Sequence, residues 1–507
     1  MSLKITIIRP PVYSVGLMGA HRVPVLGVVY IAASLRAAGQ AVDIVDMLGE
    51  DIERTEIVDE KYVQYGMSLA SIEGRIENKD VVIFSCMFSQ DWPFHRQLIE
   101  KVRSFLPHAI LVAGGEHVSA LPEFCLADCA ALDVSAVGEG ERVSVELMHA
   151  IEQGNSFEGV DGLVYRDATT SRIVKSDQAK RIKEIDAIPW PAWDLIPLDN
   201  YLDRGLNSHI TRGRTIPMLA TRGCPYECDF CSNKNMWHRC WLPRDPKDVV
   251  REMKQYMQRY MIDNFIFSDL TVVIQKTKIL AFCHEIQAAG LHCTWQLPTL
   301  RTEVVDREVL EAMYAAGCRE LDFSVESGSP EVLKAVKKKN DPKRMLSLIS
   351  QAKDVGFNLS INIVIGLPQE RLSDFCRSFG FVMKAAFCGL DEINVFPFIP
   401  YPGSHLFETL LKNKRIELND DYFKRLFGYA NLSQPVSFST HFGPRTIMSL
   451  RFFLLGCFYG VMLLTHPARI IGLFKSLRSG KATTKLENVL NRIISNIKFS
   501  NNKRKAK

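Results

Sequence analysis

Three cysteines stand close together in the segment Arg222–Cys231, with the spacing Cys-x3-Cys-x2-Cys: Cys224, Cys228 and Cys231. Thiolates are the usual ligands of iron–sulfur clusters, and three of them at this spacing can converge on one cube that contains four irons. A cluster that only carries electrons is normally closed by a fourth cysteine. An iron without a protein ligand can instead bind a small molecule, as the open position of a catalytic metal site does. The motif therefore predicts a catalytic cluster.

A zinc site is the main alternative for these thiols, because closely spaced cysteines also bind zinc. Zinc would need a fourth ligand, and His238 and Cys240 follow closely enough to supply one. Most of the other cysteines stand singly in apolar segments. This pattern is typical of reduced, buried thiols rather than of a secreted disulfide framework, so we expect a cytoplasmic protein.

The first part of the chain alternates apolar runs with segments of helical periodicity. Its 507 residues are 47% hydrophobic and 23% charged, which is ordinary for a soluble protein of two or three domains. Strands that alternate with helices predict a parallel sheet, with ligands at the carboxyl ends of its strands. We expect a Rossmann-like domain over residues 1–150.

Small or flexible residues follow several strands of this predicted domain. Glycine at a strand end lets the backbone approach a large ligand closely. At any one position a simple turn is the alternative, but three such segments at one edge of a sheet favour a ligand site. The candidate residues are Ser85, Gly114, Gly115, Glu116, His117, Gly138, Glu139 and Gly140.

The rest of the chain is predicted to contain three further parts. Residues 151–213 form a connector, with a hairpin followed by a segment rich in proline and tryptophan. A second series of strands and helices spans 214–415. It has about six strand–helix units, too few for a complete eight-fold barrel, so we predict a partial barrel. Residues 416–507 are predicted to be helical and basic.

The motifs of this second series resemble those of the radical S-adenosylmethionine (SAM) superfamily. The cysteines follow its first strand, and Phe230 matches the aromatic residue that usually precedes the last cysteine. Phe323–Ser329 is similar to the strand-four signature of that superfamily, Asn362–Pro368 to its strand-five glycine motif, and Phe398–Ser404 to its strand-six segment. With the glycine-rich first domain, the chain resembles the cobalamin-binding branch, which includes class B methylases and the anaerobic magnesium-protoporphyrin IX monomethyl ester cyclases.

The resemblance implies that Cys224, Cys228 and Cys231 ligate a 4Fe–4S cluster whose fourth iron binds SAM. A structural role is the alternative for three of the implied SAM contacts: a salt bridge for Glu326, a helix cap for Asp269 and a strand-end turn for Gly366. The full set of implied SAM contacts is Phe230, Asp269, Ser324, Glu326, Ser327, Gly366, Pro397 and Tyr401.

The resemblance also implies that the strand-end residues of the first domain bind cobalamin. The Asp-x-His-x-x-Gly signature, whose histidine coordinates cobalt in many cobalamin proteins, is absent here. His21 is a minor candidate for a cobalt contact. His117 is expected either at the edge of the corrin or its nucleotide tail, or packed in the core.

The implied cofactors are therefore a 4Fe–4S cluster, SAM and cobalamin. The implied reaction is cleavage of SAM to a 5′-deoxyadenosyl radical, abstraction of hydrogen from an unactivated carbon, and methyl transfer from methylcobalamin. Radical cyclisation, oxidation or rearrangement of a hydrophobic substrate is the alternative. A transfer-RNA methylthiotransferase and a non-enzymatic sensor are more distant ones. A one-electron donor such as flavodoxin or ferredoxin is the expected partner.

The net charge of +5 hides a strong asymmetry. From Arg451 to Lys507 there are twelve lysines and arginines and one acidic residue, so the preceding residues are net negative. We therefore expect no nucleic-acid partner for the protein as a whole. Phe452–Leu464 is thirteen uncharged residues, fewer than the roughly 20 that span a bilayer. The tail is expected to lie on the inner membrane face, to pack on the barrel before a solvated basic end, or to contact RNA.

Overall fold

The computed structural model describes residues 3–487, apart from 16–21, 60, 155–156, 168, 206–209, 211, 432–433, 480–483 and 485. The N-terminal part contains strands β1 (Ile5–Arg9), β2 (Val12–Val15), β3 (Val42–Asp46), β4 (Thr55–Val58), β5 (Tyr62–Tyr65), β6 (Val81–Ser85), β7 (Ile110–Gly114), β8 (Val134–Ala136), β9 (Leu163–Arg166) and β10 (Ile173–Lys175). Its helices are α1 (Leu26–Ala37), α2 (Trp92–Phe105), α3 (Glu116–Ala120), α4 (Pro122–Asp128), α5 (Gly140–Glu152) and α6 (Leu198–Leu202).

Seven of these strands form one sheet in the order β10-β9-β8-β7-β6-β1-β3. The five strands from β8 to β3 run parallel, and they are apolar because helices cover both faces of such sheets. All five residues of β1 and the first four of β6 are buried. The hairpin of β9 and β10 extends this sheet by two antiparallel strands. β2, β5 and β4 form a separate small sheet.

The strand order reverses between β1 and β6, since the chain passes from β1 to β3 on one side and continues through β6, β7 and β8 on the other. In sheets of this kind, ligands bind at the carboxyl ends of the strands beside such a reversal. Ser85, Gly114 and Ala136 are neighbours in register at this edge. The fold therefore places the predicted small residues of three strands side by side.

The second part of the chain is an open six-stranded parallel sheet in the order β11-β14-β15-β16-β17-β18. Its strands are β11 (Thr215–Met218), β12 (Thr221–Arg222), β13 (Leu242–Pro243), β14 (Asn264–Phe267), β15 (Thr294–Leu300), β16 (Cys318–Glu326), β17 (Asn358–Ile365) and β18 (Glu392–Pro397), of which β12 and β13 pair only with each other. Its helices are α7 (Lys234–Trp237), α8 (Pro246–Tyr260), α9 (Lys276–Ala288), α10 (Arg307–Ala315), α11 (Pro330–Ala335), α12 (Pro342–Val355) and α13 (Leu372–Phe387).

The connecting helices of this sheet begin at residues that suit a helix start. Asp245, Asp306 and Asp341 each accept a hydrogen bond from a backbone N–H of the first turn, and prolines follow two of them directly. At least one helix lies between each pair of consecutive main strands, and all five pairings are parallel, so all six strands end at the same edge. The predicted α/β architecture is confirmed: a Rossmann-like N-terminal sheet, a six-stranded partial barrel and a helical C-terminal region.

The C-terminal region consists of α14 (His405–Lys412), α15 (Asp420–Arg425), α16 (Pro444–Thr465) and α17 (Ala468–Ser479). α16 has 22 residues, more than the apolar run suggested, and an 18-residue window of it has a mean hydropathy of 1.9. Length and composition alone would let it cross a membrane, but core helices of soluble proteins meet the same criterion. The helix packs against α13 and β18.

Candidate active site

The loop that carries the three cysteines begins at β12 and ends at β13, so this short pair of strands closes its base. Gly223 has a φ of 83°, and a Cβ at this position would overlap the carbonyl oxygen of Cys240. Only glycine fits there without strain. Within the loop, the N–H of Cys231 donates to the carbonyl of Cys228 at 3.0 Å, and Asn233 Nδ2 donates to the carbonyl of Cys224 at 2.8 Å.

All three thiols are half-buried and lie close enough to influence one another. Burial, together with the neighbouring Cys228 and Cys224, raises the pKa of Cys231 to about 12. Among the described residues, no three His, Cys, Asp or Glu side chains are arranged to hold a single metal ion. His238 Nε2 lies 3.0 Å from the side chain of Gln178. The side chain of His238 is therefore engaged by Gln178, and three half-buried sulfurs in one loop fit the ligand set of an iron–sulfur cube.

Arg301, which follows β15, lies beside these sulfurs. Its Nη1 is 3.8 Å from Cys228 Sγ, and its guanidinium carbon is 3.4 Å from the centre of the Tyr226 ring. Glu303 accepts a hydrogen bond from its Nε at 3.0 Å. The side chain is only 5% exposed, so the cation is fixed in place. The sequence analysis missed Arg301; a charged residue directly after a barrel strand was the available signal.

A cavity of about 560 Å³ lies between the N-terminal sheet and the partial barrel. Its barrel side includes Leu219, Ser268 and Asp269. Its other side includes six of the eight predicted cobalamin contacts: Ser85, Gly114, Gly115, Gly138, Glu139 and Gly140. The carboxyl ends of the strands of both parallel sheets therefore line one cavity. The glycines there leave room for a large flat cofactor.

Met87 and Phe88 also line this cavity, although 48% and 54% of their surfaces are exposed. They follow Cys86, the first residue after β6. Large apolar side chains at a cavity mouth provide surface for an apolar ligand. The sequence analysis stopped at Ser85 and missed both residues.

Glu116 and His117 do not line the cavity. His117 is 1% exposed, its Nδ1 lies 2.9 Å from Ser89 Oγ, and its ring packs against Trp92 and Phe423. His117 is packed in the core, as one of its two expected roles requires, and the corrin contact stays a prediction. His21 lies outside the described residues.

Glu116 points to the cysteine loop instead of the cavity. Its carboxyl lies beside Ser232 and Asn235, directly after Cys231, and burial raises its pKa to about 7. The residue begins α3, directly after the glycines that follow β7. Its carboxyl makes a contact between the two parts of the chain, and its cobalamin contact stays a prediction.

Asp269 lies at the carboxyl end of β14 and is 4% exposed. Its carboxylate accepts hydrogen bonds from the N–H of Ala220 at 3.1 Å and from Thr221 Oγ1 at 2.6 Å. Burial raises its pKa to about 6. Asp269 caps no helix; it fixes the link between β11 and the cysteine loop, and its edge still faces the cavity.

Glu326 ends β16 in the left-handed region, with a φ of 67°. Its Oε1 accepts a hydrogen bond from Lys338 Nζ at 3.0 Å, so the salt bridge given as the structural alternative is present. A non-glycine residue held in this conformation is strained, and such strain clusters at functional sites. The segment after Glu326 touches the cysteine loop, because the N–H of Asp229 donates to the carbonyl of Val336 at 3.0 Å.

Gly366 has a φ of 80°, and a Cβ there would meet Ile447 Cδ1 of α16 at 2.5 Å. The close approach expected for a ligand is therefore made by a helix of the protein itself. The remaining implied SAM contacts do not lie on the cavity wall. Phe230 lies in the cysteine loop, and the others lie at or near the ends of β16 and β18: Ser324, Glu326, Ser327, Pro397 and Tyr401. Ser327 Oγ is 3.1 Å from Ser378 Oγ, and Asn340 Nδ2 donates to the Ser324 carbonyl at 2.7 Å.

Arg222, immediately before the cysteine motif, joins the two parts of the chain. Its guanidinium contacts Glu141 at 2.5 Å and Glu139 at 3.2 Å, and lies 4.9 Å from the ring centre of Tyr30. All three charged side chains are at most 11% exposed. Glu139 is also paired with Arg181, so its predicted cobalamin contact competes with two cations.

Two family models match the chain. A model of the B12 binding domain matches residues 19–148, and a model of the radical SAM superfamily matches residues 218–382. The two matched ranges contain the glycine edge of the first sheet and the cysteine loop of the second.

Three curated proteins are similar over most of their length. An uncharacterized methyltransferase of Pyrococcus horikoshii is 27% identical over 417 residues, which is 81% of this chain and 84% of the relative. The cytidylyl-2-hydroxyethylphosphonate methyltransferase of Streptomyces wedmorensis is 26% identical, covering 81% and 82%. The anaerobic magnesium-protoporphyrin IX monomethyl ester cyclase of Rubrivivax gelatinosus is 25% identical, covering 80% and 70%.

Two solved structures share the fold. The radical SAM methyltransferase TsrM from Kitasatospora setae, with cobalamin and a [4Fe-4S] cluster bound, has a TM-score of 0.66 and 14% identity, covering 91% of each chain. The cobalamin-dependent SAM radical enzyme OxsB, with aqua-cobalamin and SAM bound, has a TM-score of 0.62 and 16% identity, covering 89% of this chain and 61% of that one. At these identities the likeness shows the fold.

Proposed function

Because the chain belongs to the cobalamin-binding branch of the radical SAM superfamily, we propose that it is a C-methyltransferase for an unactivated carbon of a small hydrophobic molecule. It is a radical SAM enzyme with a 4Fe–4S cluster, SAM and cobalamin as cofactors. The observation that carries the proposal is the shared cavity, onto which the carboxyl ends of both parallel sheets open. A methyl donor on one side and a radical source on the other would meet the same substrate there.

When bound, the reduced cluster and SAM supply a hydrogen-abstracting radical, and cobalamin supplies a methyl group. Cys224, Cys228 and Cys231 would hold the cluster, with Arg301 donating a hydrogen bond to one of its sulfurs. Gly114 and the residues beside it would let a flat ring approach the sheet edge. Met87 and Phe88 would exclude water from the mouth of the cavity. A flavodoxin or ferredoxin would supply the electrons.

Radical cyclisation or oxidation without methyl transfer is the second candidate. It is supported by the 25% identity with the cyclase of Rubrivivax gelatinosus. A transfer-RNA methylthiotransferase is a more distant one, because the described part of residues 416–487 forms helices rather than the C-terminal β-barrel expected of that family.

Anaerobically reconstituted protein, incubated with SAM deuterated at its methyl group and small molecules from a deletion strain, should distinguish these functions. Methyl transfer should give a product in which a trideuteromethyl group replaces one hydrogen, with both 5′-deoxyadenosine and S-adenosylhomocysteine formed. Cyclisation should give 5′-deoxyadenosine and an unlabelled product. A reduced, cluster-loaded sample that cleaves no SAM would contradict the enzyme proposal and favour a sensor.

Arg301→Met should make the reduction potential of the cluster more negative by roughly 40 mV. The reason is that a hydrogen bond to a ligating sulfur stabilises the more negative, reduced cluster by about 1 kcal/mol. The potential can be measured by redox titration with electron paramagnetic resonance. Arg319→Met is the matched control, since Arg319 also stacks on a tyrosine, 4.2 Å from the Tyr314 ring centre. An equal shift in both variants would contradict a specific role for Arg301.

A further inference from the structure

α16 has one face fixed to the barrel and an apolar face directed outward. Ile447, Leu454, Phe458 and Met462 form the buried stripe, together with Arg451. Phe453 and Leu464, eleven residues apart and therefore three turns along the same face, are 54% and 83% exposed. From Phe452 to Thr465 the helix has no charged residue. Its outward face therefore offers water a continuous apolar surface.

α17 continues this surface. Ile471 and Phe474 are 59% and 69% exposed, with Lys475 and Arg478 on the same helical face. The first turn of the helix is anchored, because Arg469 donates to the carbonyls of Leu390 and Gly389 at 2.7 Å. Six of the fourteen large apolar side chains that are exposed in the described residues lie on these two helices. Such a concentration marks an interaction surface rather than scattered exposure.

The described residues that border this surface include two cations, since Lys475 and Arg478 lie beside Phe474 on α17. The sequence from Arg451 onward has twelve lysines and arginines and one acidic residue, whereas the chain before Arg451 is net negative. Charge complementarity therefore favours an anionic partner for this segment. Apolar side chains bordered by lysine and arginine are the composition of helices that lie in a membrane interface.

We propose that the outward faces of α16 and α17, the C-terminal apolar surface, dock the protein on a bilayer of anionic phospholipids at the cytoplasmic membrane face. Phe453, Leu464 and Phe474 enter the boundary between headgroups and acyl chains. Lys475 and Arg478 contact the phosphates. The contact is peripheral rather than spanning, because the buried stripe of α16 stays on α13 and β18. The proposal does not depend on the reaction catalysed.

Flotation of the full-length, cluster-loaded protein with vesicles tests this proposal. We expect binding to vesicles of phosphatidylcholine and phosphatidylglycerol in equal parts to exceed binding to pure phosphatidylcholine by at least about tenfold. The double variant Ile471→Glu with Phe474→Glu should lose about tenfold or more of that binding. Ile57→Glu is the matched control, because Ile57 is 73% exposed on β4 and should leave binding unchanged. SAM cleavage should persist in all variants, which shows that they fold.

Four results would overturn the proposal. Binding that is equal for both vesicle types would remove the role of anionic lipid. Binding that survives the double variant would assign the contact to the basic tail alone. Absence of vesicle binding, with a dimer that the double variant dissociates, would assign the surface to a second copy of the chain. Absence of both would mean that the chain's own residues after 487 cover the surface.

Discussion

Cys228→Ala should abolish SAM cleavage and remove most of the bound iron, because two thiolates cannot hold the cube in place of three. Cys228 is the thiol that accepts the contact from Arg301, so its loss also leaves a buried cation without that neighbour. Iron content, the visible spectrum of the reconstituted protein and the formation of 5′-deoxyadenosine measure the effect. Far-ultraviolet circular dichroism should stay unchanged, since the strands β12 and β13 still close the loop.

Cys240→Ala is the matched control for this experiment. Cys240 lies in the same loop and is half-buried like the three motif cysteines, but it is not part of the motif. The variant should keep its iron and its activity. A Cys228→Ala protein that still cleaves SAM would contradict the assignment of the cluster, and so would wild-type protein that contains zinc and no iron.

Arg222→Met should lower the free energy of unfolding by about 3–5 kcal/mol, because it leaves Glu139 and Glu141 buried with one cation fewer. Burial alone would lower the pKa of Arg222, but the charge and hydrogen bond of Glu141 together with the neighbouring Tyr30 and Glu139 raise it, so the guanidinium stays charged. Urea unfolding followed by tryptophan fluorescence is a suitable measurement, since Trp237 lies 5.9 Å from the guanidinium.

Arg239→Met supplies the comparison. Arg239 also lies in the cysteine loop and pairs with Glu227, but about half of each side chain is exposed. Exposed ion pairs contribute about 0–1 kcal/mol, so this variant should unfold almost as the wild type does. Equal destabilisation by both substitutions would mean that the buried ion pairs do not hold the two parts together.

The fold could be predicted from the sequence because its signals are local. Buried parallel strands such as β1 and β6 are continuous apolar runs, and helices such as α8 begin at Asp-Pro. The spacing of the three cysteines likewise needs no tertiary information. These features depend only on residues that are close together along the chain.

The residues that the sequence analysis missed owe their roles to contacts between distant segments. Arg222 meets Glu139 across 83 positions, and Arg301 meets Cys228 across 73. Gly366 illustrates the same limit, because its nearest neighbour Ile447 belongs to a helix whose docking no local pattern indicates. His117 lies in α3, shortly after β7, but only the packing of Phe423 of α15 against it shows why it is buried.

Arg222 is one of the side chains that tie the cobalamin domain to the cysteine loop. Only Gly223 separates it from the first cysteine, while its carboxylate partner Glu139 stands between two glycines of the opposite edge. A ligand that binds at that edge and shifts Glu139 would therefore also change the free energy of the cysteine loop, through the Arg222–Glu139 pair. Thermodynamic linkage makes such an effect reciprocal: if cobalamin changes the affinity of the loop for its cluster by some factor, the cluster changes the affinity for cobalamin by the same factor.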